Sequence, residues 1–265
     1  MKQYLVDAFT DKVFSGNPAA VCVLDAWPDD QLMKNIALEN NLSETAFVVK
    51  EPAGYHLRWF TPTDEINLCG HATLATAYVI LNYYDTDADE VRFSTMSGDL
   101  TVARKGDLYE MDFPTYELSE IPVTDDMERA FGARPSRAIL GMDLICVFDD
   151  TDTVCKMNPD LAMIEQLPGR LHNATAQATD GADCVSRSFA PKCGIPEDPV
   201  CGSAHCQIAD YWSQVLGKTN IVAYQASKRG GTLYCELIGD GRIRISGRAV
   251  LFAISELNIE MCADL

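Results

Sequence analysis

Several things are scarce or missing in this chain of 265 residues, and each excludes a class of protein. There is no G-x-G-x-x-G turn, no Walker loop and no flavin signature, which favours a reaction run without a cofactor. No apolar stretch approaches the roughly 18 residues that a membrane span needs, so no membrane partner is expected. Positive charge is short: 21 Lys and Arg stand against 39 Asp and Glu, a net charge of −18. Such a surface repels phosphate backbones and argues against nucleic acid as a partner. Ten cysteines are too thinly spread for a disulfide scaffold, and they read as reduced, mostly buried thiols. A metal site from Cys193, Cys201, His205 and Cys206 is rejected: it has no C-x-x-C knuckle, and Cys193 cannot share the helix face of the others. Asp7 interrupts the apolar run Met1 to Phe9, which argues against a signal peptide and makes a cytoplasmic setting the expectation.

What is present is a repeat. Cys69-Gly70-His71-Ala72 and Cys201-Gly202-Ser203-Ala204 lie 132 positions apart, half the chain. Each follows a Phe-x-Pro turn, Phe60-Thr61-Pro62 or Phe189-Ala190-Pro191, and each leads into an apolar helical run. The period predicts two halves built alike, with the polar, proline-flanked stretch Pro114 to Pro122 as the boundary. The expected domains are residues 1–115 with about 255–265, and 116–254. If the halves face each other, two helix N-termini converge on one cleft, a design for holding a small anionic substrate.

Along the chain, strands are expected at Tyr4–Phe9, Ala19–Leu24, Thr45–Val49 and Leu57–Phe60, with a helix opened by Asp29-Asp30 and stopped by Asn40-Asn41. Ser43-Glu44 lies on the joint between that helix and the next strand. Hairpin strands follow from Val91 to Phe113. In the second half, Asp125–Phe131 and Pro159–Gln166 read as helices, Asp149–Asp152 as a solvated acidic turn, and Ala138–Phe148 as one or two strands. Gly247–Ile254 and Glu256–Ile259 read as closing strands. The sum is an α/β (α+β) chain, with curled, mostly antiparallel sheets around central helices, and not a doubly wound nucleotide fold.

Four groups could carry chemistry. Glu44 on a loop is by default a solvated charge; in a closed cleft its pKa would rise to roughly 6–7, where it can take and return a proton. His71 could be a capping histidine, yet opposite Ser203 it would offer a ring nitrogen where the repeat offers a hydroxyl. Backbone N–H groups of Gly70 to Thr73 and Gly202 to His205 add donors, each helix end contributing about 0.3–1 kcal/mol to a bound anion. Asp198, in Glu197-Asp198-Pro199, is either an exposed acid or a group holding a substrate amino or hydroxyl. Cys69 and Cys201 are either small turn-fillers or, with pKa values lowered at helix starts, a proton-transferring pair as in a racemase.

With these stretches in hand, the chain resembles the PhzF-like, phenazine biosynthesis-like family within the diaminopimelate epimerase superfamily. The carriers are Val6-Asp7-Ala8-Phe9-Thr10, Phe14-Ser15-Gly16-Asn17-Pro18-Ala19, Leu42-Ser43-Glu44-Thr45-Ala46-Phe47, Leu68-Cys69-Gly70-His71-Ala72-Thr73, Glu197 to Ala204 and Ile245-Ser246-Gly247-Arg248-Ala249. The resemblance implies two pseudo-symmetric domains with the cleft between them, no metal or organic cofactor, and a homodimer in many relatives. It implies an isomerase in which Glu44 shuttles a proton while His71, Asp198 and Ser203 bind and orient a small carboxylate-bearing substrate. Gly70, Ala72, Thr73, Gly202 and Ala204 line the two turns. Two alternatives stand beside it: a two-cysteine epimerase using Cys69 and Cys201, and a non-catalytic ligand- or protein-binding member of the family. The superfamily's epimerases carry Asn after the first Cys-Gly where this chain has His71, and Glu44 matches the phenazine-type motif, so the glutamate reading is preferred.

Overall fold

The computed structural model describes Met1–Ile259, and the chain divides into two compact units. The first comprises Met1–Met111 and the chain from Arg248 onward; the second is Asp112–Gly247.

In the first unit, β1 (Lys2–Ala8) pairs antiparallel with β2 (Asn17–Leu24). Helix α1 (Asp30–Asn40) then crosses over to β3 (Glu44–Glu51), which runs parallel to β2. Asp29 caps the helix by accepting from the Leu32 N–H, and its end is turned by Asn41 in the left-handed region (φ 48°), which asparagine tolerates better than most residues. β4 (Gly54–Phe60) pairs antiparallel with β3, and the two-residue β5 (Glu65–Ile66) with β4. Helix α2 (Gly70–Tyr83) crosses to β6 (Glu90–Thr95), parallel to β4, and the meander β7 (Gly98–Lys105) and β8 (Leu108–Pro114) follows.

The second unit repeats this order. The short β9 (Ser119–Ile121) leads through α3 (Asp125–Phe131) to β10 (Arg137–Leu140), which pairs with β9 and with β11 (Leu144–Val147). Two short helices, α4 (Thr151–Lys156) and α5 (Leu161–Ile164), cross to β12 (His172–Gln177), parallel to β11. Then come β13 (Cys184–Phe189), the two-residue β14 (Glu197–Asp198), helix α6 (Gly202–Leu216) and the meander β15 (Asn220–Gln225), β16 (Gly231–Gly239) and β17 (Arg242–Gly247). Their pairings match β4 to β8 one for one, including the parallel step across the helix. Even the pins repeat: Arg58 forks onto Glu65 with two 2.7 Å bonds, and Arg187 onto Glu197 with two of 2.8 Å, each fixing the short strand before a Cys-Gly turn. Finally β18 (Ala249–Glu256) pairs antiparallel with β1.

Each unit therefore wraps strands around one buried helix. α2 packs against β1, β2, β3, β6, β7 and β18, and buries ten consecutive-face-independent positions from His71 to Leu81, the mark of a helix apolar all round. α6 packs against β12, β15, β16 and β17. The other face of each sheet has its own core. Met33, Ile36 and Ala37 of α1 meet Cys22, Phe47 and Phe60, while Met127, Phe131, Val154 and Ile164 meet Ala174, Val185 and Phe189.

Four expectations change. The second crossing between units falls at 247/248 rather than near 254, because β18 bonds to β1. Asp149–Asp152 is not a turn but the start of α4, with Asp150 accepting from the Thr153 N–H at 2.7 Å. The helix expected at Pro159–Gln166 is only Leu161–Ile164, capped by Asp160. Strand structure ends at Glu256, so Leu257–Ile259 is not a strand; the last expected residues of the first domain, 260–265, lie outside the described residues. No helix among the described residues is long and apolar enough to cross a membrane.

Candidate active site

The start of α2 gathers the first set of groups. Glu44 is the first residue of β3, whose odd positions face α1 (Phe47 and Val49 sit in that core), so its even positions face α2. The neighbouring Thr45 is held from the other side by the Asn40 amide at 3.0 Å. Glu44 Oε2 thus lies 3.2 Å from Nε2 of His71, with 16% of the glutamate side chain and 6% of the histidine exposed. The oxygen sits off the N–H axis, so the pair is apposed rather than hydrogen-bonded.

The other ring nitrogen is fixed by Asn17. Its Nδ2 donates to His71 Nδ1 at 3.1 Å, which makes Nδ1 the acceptor and places the ring hydrogen on Nε2, toward Glu44. Burial pushes His71 down to about 3, so the imidazole is neutral at physiological pH. Asn17 reaches it because Gly16 turns the chain at φ +68°; a Cβ there would lie 2.2 Å from the Ala8 carbonyl oxygen. Cys69 occupies the cap position of α2 without capping it, its Sγ 3.4 Å from His71 Nδ1.

Thr73 is spent on the helix itself. Its hydroxyl donates to the Cys69 carbonyl at 2.6 Å and its amide to the same oxygen at 3.1 Å. The free amide donors expected from Gly70 to Thr73 thus shrink to Gly70, His71 and Ala72, the first turn that has no intrahelical acceptor. His205 likewise bonds the Cys201 carbonyl and the Ala204 N–H is turned to the Cys201 thiol, leaving Gly202 and Ser203.

At the start of α6, buried Gln225 clamps the approach: its Oε1 accepts from the Cys201 N–H at 2.8 Å and its Nε2 donates to the Asp198 carbonyl at 2.6 Å. Asp198 is half-buried on β14, beside Glu197, whose carboxylate is taken by Arg187. Ser203 Oγ accepts from Arg170 Nη2 at 2.9 Å and lies 3.4 Å from Cys201 Sγ. Burial, and next the Asp198 charge, push the Cys201 thiol well above its ordinary value. That reverses the lowered pKa expected of a thiol at a helix start: desolvation outweighs the dipole here.

Glu44, Cys69, Gly70, His71 and Ala72 lie together at the start of α2, and Asp198, Cys201, Gly202, Ser203 and Ala204 lie together at the start of α6. Asn17, Arg170 and Gln225 escaped sequence reading. Only Asn17 left a signal, as the residue of the Gly16-Asn17-Pro18 turn. Of the rejected metal set, Cys193 is exposed on a 3-10 turn, Cys206 Sγ faces the Gly202 carbonyl, and His205 is bonded through both nitrogens. Among the described residues Glu44, Cys69 and His71 form the one donor group close enough for a metal, within 4.8 Å. The carboxylate approaches Nε2 and the thiol Nδ1, whose lone-pair directions diverge, so one ion could take the ring with either partner but not both.

Comparison with known proteins agrees with this duplicated architecture, a diaminopimelate epimerase-like α/β fold. The family model described as phenazine biosynthesis-like protein matches residues 6–254, and the chain belongs to that family. It is 46% identical over 256 residues to an uncharacterized isomerase of Pseudomonas aeruginosa, covering 97% of this chain and 98% of that one. A crystal structure of a PhzF-family phenazine biosynthesis protein from Enterococcus faecalis superposes with a TM-score of 0.94 at 49% identity, over 97% of this chain and 99% of that one. A probable proline racemase from Agrobacterium radiobacter, at 11% identity and a TM-score of 0.65 over 99% and 94% of the two chains, shares the fold alone.

Proposed function

We propose that the chain is a cofactor-independent isomerase of a small carboxylate-bearing substrate, with Glu44 as the general acid and base. The observation that carries this reading is the pairing of Glu44 with a buried, neutral His71 whose hydrogen is directed by Asn17. The isomerase names of close relatives and the family match support the reaction class.

In this reading Glu44 takes a proton from a substrate carbon as the C–H bond breaks. The electron pair shifts into the substrate's own unsaturation, and the same carboxyl returns the proton to a second carbon. His71 faces the carboxylate with Nε2–H, and because the buried imidazole is neutral it polarises Glu44 without competing as its acid. The first-turn amides of α2 serve as anion-binding donors, and at α6 the first-turn amides serve with Ser203 and Asp198 as substrate-binding groups. A homodimer and a cytoplasmic setting belong to the same reading.

The two-thiol alternative retains one favourable contact, Cys69 Sγ to His71 Nδ1, and one obstacle, the raised Cys201 thiol. Incubation in deuterated water with small unsaturated, 2-amino and 2-hydroxy acids separates the two. We expect Glu44→Gln to lower deuterium wash-in by about 100-fold or more, with Cys69→Ser and Cys201→Ser within a few-fold of the parent. The reverse pattern would sink the glutamate mechanism.

A further inference from the structure

We propose that Arg170 is a substrate-binding residue that clamps the carboxylate of the ligand at the start of α6. This inference rests on the isomerase reading for its substrate class and goes beyond it in naming the residue that selects an anion.

Arg170 precedes β12 and is aimed rather than loose. Its Nε donates to Asp143 Oδ1 at 3.3 Å, and its Nη2 to Ser203 Oγ in the first turn of α6. Asp143 is fully buried and already satisfied: Leu171 N–H and the Gln207 amide donate to its two oxygens at 3.1 and 3.0 Å. The carboxylate therefore acts as a fixed seat for the guanidinium. Nη1 makes no hydrogen bond among the described residues, and 45% of the side chain is exposed. A planar fork with one edge seated and one edge open suits a carboxylate.

The internal repeat gives this geometry meaning. Thr45 pairs with Phe60 on β3 and β4, and His172 with Phe189 on β12 and β13, so Glu44 and Leu171 are equivalent and Arg170 lies one residue upstream. Each half sets a charged side chain on the second helical residue after its Cys cap, Glu44 on His71 and Arg170 on Ser203. The two halves thus put opposite charges on corresponding helix starts from positions one residue apart: a proton carrier in one half, an anion holder in the other.

A second observation points to a ligand at the same helix end. Asn173, Ser188 and Asp198 share one rung of β12, β13 and β14. They face α6, because two residues along on the same face Thr175 takes the Trp212 indole N–H and Ser186 meets His205. Asn173 and Ser188 are fully buried, and both polar atoms of Asn173 and the hydroxyl of Ser188 are without a hydrogen-bond partner among the described residues. Buried dipoles left open in this way are rare unless something polar completes them.

The test uses the whole chain with benzoate as probe and benzamide, its uncharged near-isostere, as control. Titration calorimetry and thermal shift should show benzoate binding to the parent and benzamide not. Arg170→Gln should weaken benzoate by at least tenfold, about 1.4 kcal/mol, and Arg170→Lys by less, since a point charge replaces the fork. Because Arg170→Gln leaves Asp143 without its cation, the melting temperature of each variant is measured beside it; Arg170→Lys, which keeps the cation, should hold the parent's melting temperature while its benzoate affinity still falls. Benzoate binding that survives in these variants, or no binding by the parent at tens of millimolar, overturns the assignment. Glu44→Gln should still bind benzoate, so failure of the proton-transfer reading and failure of the clamp are told apart.

Discussion

Lowering the pH from 7 to 5 should strip this protein of much of its stability, and the cause is its histidines rather than its many carboxylates. His71 is held down to about 3 and His205 to about 4, both by burial, against an ordinary value of 6.5. Both are neutral in the folded chain and charge readily once unfolded. Their stability contribution is complete above pH 6.5 and falls as pH drops from there toward the folded values. Between pH 6.5 and 5 each loses 1.5 units at about 1.36 kcal/mol per unit, roughly 2 kcal/mol apiece. The pair together reaches about 4 kcal/mol, a large part of the 5–15 kcal/mol typical of folded domains. His172, also lowered by burial, acts in the same direction. The carboxylates of Asp85 and Asp183 are themselves depressed, so what they contribute is lost further down the pH scale. Urea midpoints should therefore decline from pH 7 through 6 to 5. His205→Gln, which can still donate to the Cys201 carbonyl, should flatten the decline by about half. A midpoint unchanged between pH 7 and 5 would refute the assignment of two buried neutral histidines.

Two substitutions test the scaffolding of the site. Gly16→Ala, forced to φ +68° against the Ala8 carbonyl, should cost on the order of 1–3 kcal/mol by denaturation and lower activity through the displaced Asn17. Gln225→Leu removes the bonds to Cys201 and Asp198 and should cost about 1–3 kcal/mol, with KM for the eventual substrate rising more than kcat falls; unchanged KM would mean Asp198 needs no such support.

Much of the architecture was readable because it is local. The Cys-Gly turns, the apolar helical runs after them and the alternating hairpin strands each carry their signal within a dozen residues. β12 was not readable. Asn173, Thr175 and Gln177 interrupt the apolar alternation, and two of them face a helix that arrives thirty residues later in the chain. α4 was hidden because its cap and first-turn acids, Asp150 and Asp152, look like a solvated turn. The boundary at 247/248 depends on β18 pairing with β1, a contact between opposite ends of the sequence. In the site, Glu44 and His71 belong to recognisable motifs, whereas Arg170 and Gln225 acquire their roles only through partners 33 and 24 positions away.

The pairing of β1 with β18 also sets an order of assembly. β1 lies between β2 and β18, and the Met1 carbonyl accepts from the Leu257 N–H at 2.7 Å. During synthesis, every strand of the later unit has left the ribosome while the earlier one still waits for its closing strand. The half encoded second is thus the first to have all its parts, and the half bearing Glu44 stays open-edged until β18 emerges.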